Sequence, residues 1–105
     1  MKKRILLTVL LMAFATLIFG FEDEDLEKFL ATNQCVNCDL ALADLAGRNL
    51  SKARLRGADL WGAVLIGADL RGAKLNGVVL DFADLEQAKF CNTSMSDGSI
   101  RNDDC

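Results

Sequence analysis

From Leu40 to Leu85 a leucine stands at every fifth position without a miss, and the same register runs on through Phe90, Met95 and Ile100. Two residues before these centres stands Ala, at 43, 53, 58, 63, 68, 73, 83 and 88. One residue before them, Asp or Asn recurs at Asp39, Asp44, Asn49, Asp59, Asp69 and Asp84; two residues after them, Gly recurs at 47, 57, 62, 67, 72 and 77. Neither regular element accepts this spacing. At roughly 100° per residue the leucines would spiral around a helix and leave no apolar stripe, and in a strand an odd period sends successive leucines to opposite faces. The chain must turn once per repeat, at the recurrent Gly. A chain that bends in one sense every five residues winds into a solenoid, with Leu and Ala facing its axis.

The pattern is different upstream. Lys2, Lys3 and Arg4 precede an apolar run from Ile5 to Phe21, the order of a secretory leader. Residues 1–20 are expected to be a signal peptide cleaved after Gly20, with Ala13 and Ala15 offering a second cleavage point, or else an uncleaved anchor. Residues 21–37 form an acidic linker. Within it, Leu26, Phe29 and Leu30 share one face of a short helix over about 24–32, with Glu22, Asp23, Glu24 and Asp25 at its positive end.

The segments Ala-Asp-Leu-Ala-Gly (43–47), Ala-Asp-Leu-Trp-Gly (58–62) and Ala-Asp-Leu-Arg-Gly (68–72) resemble the pentapeptide-repeat proteins, whose motif is A(D/N)LXX. The resemblance covers residues 38–102 as thirteen repeats. It implies an all-β solenoid: a right-handed quadrilateral β-helix with four pentapeptides to a twenty-residue coil, preceded here by the short N-terminal helix as a cap. Thr32 to Leu40 and Cys91 to Cys105 look like the terminal caps of a small exported subgroup, so that residues 91–105 form a C-terminal cap overlapping the last repeats.

Four cysteines carry the only candidate covalent chemistry. Cys35 and Cys38 form a C-x-x-C, which serves as a redox dithiol in a βαβ setting that this chain lacks. A zinc site would want a second close pair, but Cys91 and Cys105 lie far apart in sequence and the chain has no His. Two disulfides fit an exported protein. On the coil length that the resemblance implies, Cys91 lies on the order of 14 Å from Cys35 and Cys38, too far to bridge. Cys35 is then expected to pair with Cys38, and Cys91 with Cys105.

Stacking the sequence by twenty turns it into columns. Arg54, Arg56 and Lys74, with Lys52 and Arg71 close by, gather on one face as a candidate anion-binding surface; Asp44, Asp84 and Glu86 lie opposite. Trp61, Val64, Ile66, Val79 and Phe82 occupy outward positions. Phe82 stacks on Gly62 and Asp81 on Trp61, which makes the two rings diagonal neighbours in a candidate partner patch. Arg48 falls at an inward position.

The chain of 105 residues is one small domain. Without His, its chemistry excludes histidine-based catalysis, and a formal charge of −3, or −6 once the basic leader is removed, argues against nucleic-acid binding. No catalytic residue, metal ligand or cofactor site is expected. The expected role is that of an exported, periplasmic or secreted, non-enzymatic interaction or scaffolding module. Its partner would be a protein or envelope component, or a second copy in a homodimer, with membrane contact only through an uncleaved N-terminal segment. The alternatives are a thiol-disulfide role for Cys35 and Cys38, and the DNA mimicry toward topoisomerase known in the wider family, which the leader, the short rod and the basic face all oppose. Non-reducing peptide mapping of the exported protein is expected to return Cys35–Cys38 and Cys91–Cys105; a Cys38–Cys91 linkage would refute the coil length.

Overall fold

The computed structural model describes residues 24–105. The leader, with its cleavage point, and residues 21–23 of the linker lie outside the described residues. Helix α1 (Glu24–Thr32) opens the fold with Glu24, Asp25 and Glu27 in its first turn, where carboxylates complement the free N–H groups and the helix dipole. It ends where Asn33 takes a left-handed conformation (φ 62°) and donates its N–H to Phe29 O, a tolerated use of Asn just past a helix end. Phe29 is buried and Leu26 partly buried against the core, but Leu30 is exposed. The apolar face is thus narrower than its sequence pattern, because only the Phe29 side of α1 has a packing surface below it.

Below α1 the chain winds in stacked coils of twenty residues. Parallel bridges join Gln34 to Arg54 and Arg54 to Lys74, and likewise Asp39 to Asp59 to Val79, and Asn49 to Asp69 to Lys89. Each coil bonds to the next in both directions: Leu60 N–H donates to Val79 O at 2.8 Å, and Val79 N–H to Ala58 O at 3.0 Å. The extended stretch between turns is so short that the pairing consists of isolated bridges. Among the described residues regular strand is confined to β1 (Thr93–Ser94) and β2 (Ile100–Arg101).

The turn is a left-handed residue every five positions. Six of these are glycines with φ between 66° and 76°, at 47, 57, 62, 67, 72 and 77, and the rest are Asn37, Leu42, Lys52, Phe82, Gln87 and Asn92. Asn tolerates this region, whereas the other four carry strain of about 1–2 kcal/mol each. The glycines have a second role. A Cβ on Gly62 would come within 2.8 Å of Leu42 Cδ2, one on Gly72 within 3.1 Å of Lys52 Cγ, and one on Gly57 would collide with the Asn37 side chain. A side chain leaning from one coil thus requires glycine in the coil below.

The interior is a column of leucines from Leu40 to Leu75, interleaved with Ala53, Ala58, Ala63, Ala68 and Ala73, all buried. The coils begin earlier than the leucine pattern suggests. Cys35 stands five residues before Leu40, is fully buried, and donates its N–H to Arg54 O, so that residues 34–37 belong to the first coil rather than to the linker. Arg48, at an inward position by register, is exposed. Its backbone keeps the ladder, with Arg48 O accepting from Asp69 N–H, while the charge turns out to water at the open first coil because burying it unpaired is too costly.

The register also stops before Ile100, which is half exposed. The chain instead turns back so that β1 and β2 pair antiparallel, Thr93 with Arg101 and Ser94 with Ile100. Thr93, fully buried at an alanine position, is satisfied by donating its hydroxyl to Leu70 O at 2.7 Å. The Arg101 guanidinium lies 3.8 Å from the centroid of the buried Phe90 ring and closes the core there. This segment covers only part of the lower end: Leu80, Ala83 and Leu85 are only partly buried, with no coil beneath them.

Leu65→Ala or Leu70→Ala, in the middle of the stack, is expected to cost about 2–5 kcal/mol through lost burial and a cavity. Ile100→Ala should cost less than about 1 kcal/mol, as at an ordinary surface position. Urea denaturation of the three variants measures the difference, and equal losses would show that the C-terminal cap packs as tightly as the middle.

Candidate functional site

Two disulfides close the ends, Cys35–Cys38 with Cα atoms 5.3 Å apart and Cys91–Cys105 at 5.0 Å. The first lies beneath α1, with Cys35 fully buried and Cys38 nearly so. The second holds the last residues across the final coil, and there side chains stand in for a coil that does not exist. Asp104 Oδ2 accepts from Phe90 N–H at 2.9 Å and Asn102 Oδ1 from Asn92 N–H at 2.7 Å. At the other end Asp25 Oδ2 accepts from Asp39 N–H at 2.8 Å. No group of three or more potential metal ligands occurs among the described residues, and among these residues no helix is long and apolar enough to cross a membrane.

The acidic residues before the leucines serve the turns. Asp44, Asp59 and Asp84 each accept a hydrogen bond from the N–H two residues on, the Asx arrangement that shapes a bend. On the acidic face around Leu45, Leu65 and Leu85, Asp44 and Asp84 therefore follow from turn chemistry.

The outward apolar residues meet at one corner. Trp61 and Phe82 touch edge to face with centroids 5.5 Å apart and planes at 65°, a favoured aromatic geometry. Phe82 is 82% exposed and Trp61 44%, and Val79 is exposed beside them. Ile66, at the margin of exposure, and Val64, half-buried, lie on the next face. Leu42 is 66% exposed and leans over Gly62, in the same column as Phe82. Sequence reasoning missed Leu42, although stacking by twenty places it there.

On the basic face Lys52, Arg54, Arg56 and Lys74 surround Gly72 and line a concavity of about 360 Å³. Arg71 is not part of it. Its Nε donates to Asp69 Oδ1 at 2.9 Å and its terminal nitrogen to Asp69 Oδ2 at 2.7 Å. This two-pronged bond, aided by the Arg71 backbone N–H and charge, lowers the Asp69 carboxyl from 3.8 to about 2.

Because the folded value lies below the unfolded one, the stabilisation is present above about pH 4 and is lost as pH falls through about 2. Carboxyl NMR titration should find Asp69 ionised to about pH 2 in the wild type, and Arg71→Gln should raise its midpoint toward the ordinary carboxylate range. An unchanged midpoint in the variant would mean that Arg71 does not hold the carboxylate.

The family model described as pentapeptide repeats matches the chain in eight copies, over residues 38–77 and 62–97. No curated protein matches the chain in sequence. Among solved structures, a pentapeptide repeat protein, Rfr23, from the cyanobacterium Cyanothece 51142 is 37% identical over 60% of this chain and 44% of its own, at a TM-score of 0.46. HetL, a pentapeptide repeat protein involved in heterocyst differentiation regulation from Nostoc sp. strain PCC 7120, is 30% identical over 65% of this chain and 40% of its own, at 0.50. A third, alr5209 from Nostoc PCC 7120, is 24% identical over 75% of this chain and 84% of its own, at 0.37. The chain spans less than half the length of the first two.

Proposed function

The chain belongs to the pentapeptide-repeat family, and on that premise we propose that it is an exported, non-enzymatic interaction module built on a right-handed quadrilateral β-helix, with the Trp61–Phe82 corner as its contact surface. The observation that carries this reading is the pair of touching, solvent-exposed rings, extended by Leu42 and Val79. Contiguous exposed aromatics supply a large apolar contact area at low entropic cost, as central anchors of interfaces do. Two disulfides support an oxidising compartment, as does the leader-like N-terminus. The partner is a protein or envelope component, or a second copy of the chain.

Among the described residues the interior is filled by Leu and Ala, which supports a non-enzymatic role because convergent titratable groups would need a pocket. Thiol-disulfide exchange requires access to a sulfur, and the burial of Cys35 and Cys38 beneath α1 weighs against it. DNA mimicry calls for a negatively charged rod, to which the cluster of Lys52, Arg54, Arg56 and Lys74 is opposed.

Trp61→Ala is expected to weaken partner capture from the native extracytoplasmic fraction, or self-association in sedimentation, by about 2 kcal/mol or more. Its melting temperature should change little. A loss of stability with association unchanged would mean that the rings merely cover the corner.

A further inference from the structure

The basic concavity is one of the places where the chain departs from its own repeat. Position 54 and position 74 stand one residue before a leucine, where Asp39, Asp44, Asn49, Asp59, Asp69 and Asp84 accept the hydrogen bond that shapes the turn and where, from 39 to 89, only Val64, Val79 and Lys89 also depart from Asp or Asn. Arg54 and Lys74 cannot accept that bond, because neither side chain has an acceptor. They are also bridge partners in adjacent coils, and like charges set directly opposite in a ladder destabilise it. The acidic pair Asp39 and Asp59 is stacked in the same way, but each of its carboxylates serves a turn, so the fold accounts for that repulsion. Nothing in the fold accounts for the basic pair.

The other two cations add to the same basin. Lys52 occupies a left-handed turn position (φ 61°), and its stem leans over Gly72, the one lining residue without a side chain. Arg56 completes the rim. The rest of this face, Gln34, Val36, Asn76, Ser94 and Ser96, carries no charge. By contrast, Arg71 and Arg101 are neutralised by Asp69 and Asp103, and Lys89 is the bridge partner of Asp69. Among the described residues, Lys52, Arg54, Arg56 and Lys74 thus form a group of four cations without an acidic partner, converging on a recess, in a chain whose overall charge is negative.

We propose that this recess binds a phosphate-class anion, held between the Arg54 and Arg56 guanidinium groups with Lys52 and Lys74 at its edges. A guanidinium presents paired N–H donors that match two oxygens of such a group, and ammonium groups supply point charge. Bound anion offsets the repulsion between Arg54 and Lys74 that the apo fold leaves standing. The site is separate from the aromatic corner and does not depend on it.

Two arms distinguish a soluble anion from a lipid headgroup: calorimetric titration of the full-length protein with pyrophosphate, and sedimentation with phosphatidylglycerol vesicles against phosphatidylcholine controls. In whichever arm binds, R54Q/K74Q should weaken binding by about tenfold or more, the worth of one charge-assisted hydrogen bond, whereas R71Q should leave it within about threefold. Binding in the first arm identifies a free phosphate compound as the source, and binding in the second a headgroup. The double variant without anion should melt no lower than the wild type, because repulsion has been removed, and pyrophosphate or vesicles should raise the melting temperature of the wild type more than that of the double variant. Absence of binding in both arms, equal binding by the double variant, or an equal loss in R71Q overturns the site.

Discussion

Hydrogen bonds between successive coils, such as Leu60 N–H to Val79 O and Val79 N–H to Ala58 O, hold this chain together, and they exist only because a left-handed residue turns the backbone every five positions. Remove that turn and the extended stretches run on, their leucines alternating between two faces. With it, each leucine returns to the axis, and N–H groups on both flanks of the turn find carbonyls one coil away. The strain at Leu42, Lys52, Phe82 and Gln87 is borne by this ladder, which ties both flanks of each such corner to an adjacent coil. Burial and turn geometry are thus one constraint seen from two sides.

That coupling explains what could be read from the sequence. A five-residue leucine register admits hardly any chain path but a coil, and stacking by twenty, the coil length that the family resemblance implies, then places Trp61 beside Phe82 and Arg54 above Lys74. The same rule, applied strictly, also misleads. It sends Ile100 inward, although β2 has left the coil by then and pairs antiparallel with β1. It sends Arg48 inward too, where the cost of burying a charge overrides register. Leu42 was legible and overlooked. The start of the first coil carries no leucine: Cys35 holds that position, buried five residues before Leu40.

The ends were less legible because their interactions are single side-chain events without a period. That Asp25, Asn102 and Asp104 supply carbonyl-like oxygens to Asp39, Asn92 and Phe90 N–H groups depends on where a short helix and a disulfide place three residues. Nothing in the spacing of Asn102 or Asp104 announces it. The same holds for Arg71, whose repeat position resembles that of its cationic neighbours but whose charge is absorbed by Asp69 two residues back. Local pairing of this kind separates a fold-serving charge from one left for a ligand.

The Arg54–Lys74 column shows how differently the inside and outside of this rod respond to changes in chain length. Five residues gained between Gly67 and Ala68 would leave Leu70 in a leucine position, so the core would hardly register the change. All that follows would nevertheless advance by one face, carrying Lys74 away from Arg54 and Phe82 away from Trp61. Twenty residues gained at the same point would restore every column and lengthen the rod by one coil. The interior therefore counts length in fives and the surface counts it in twenties, so a small insertion can scramble a binding face while the fold beneath it stays the same.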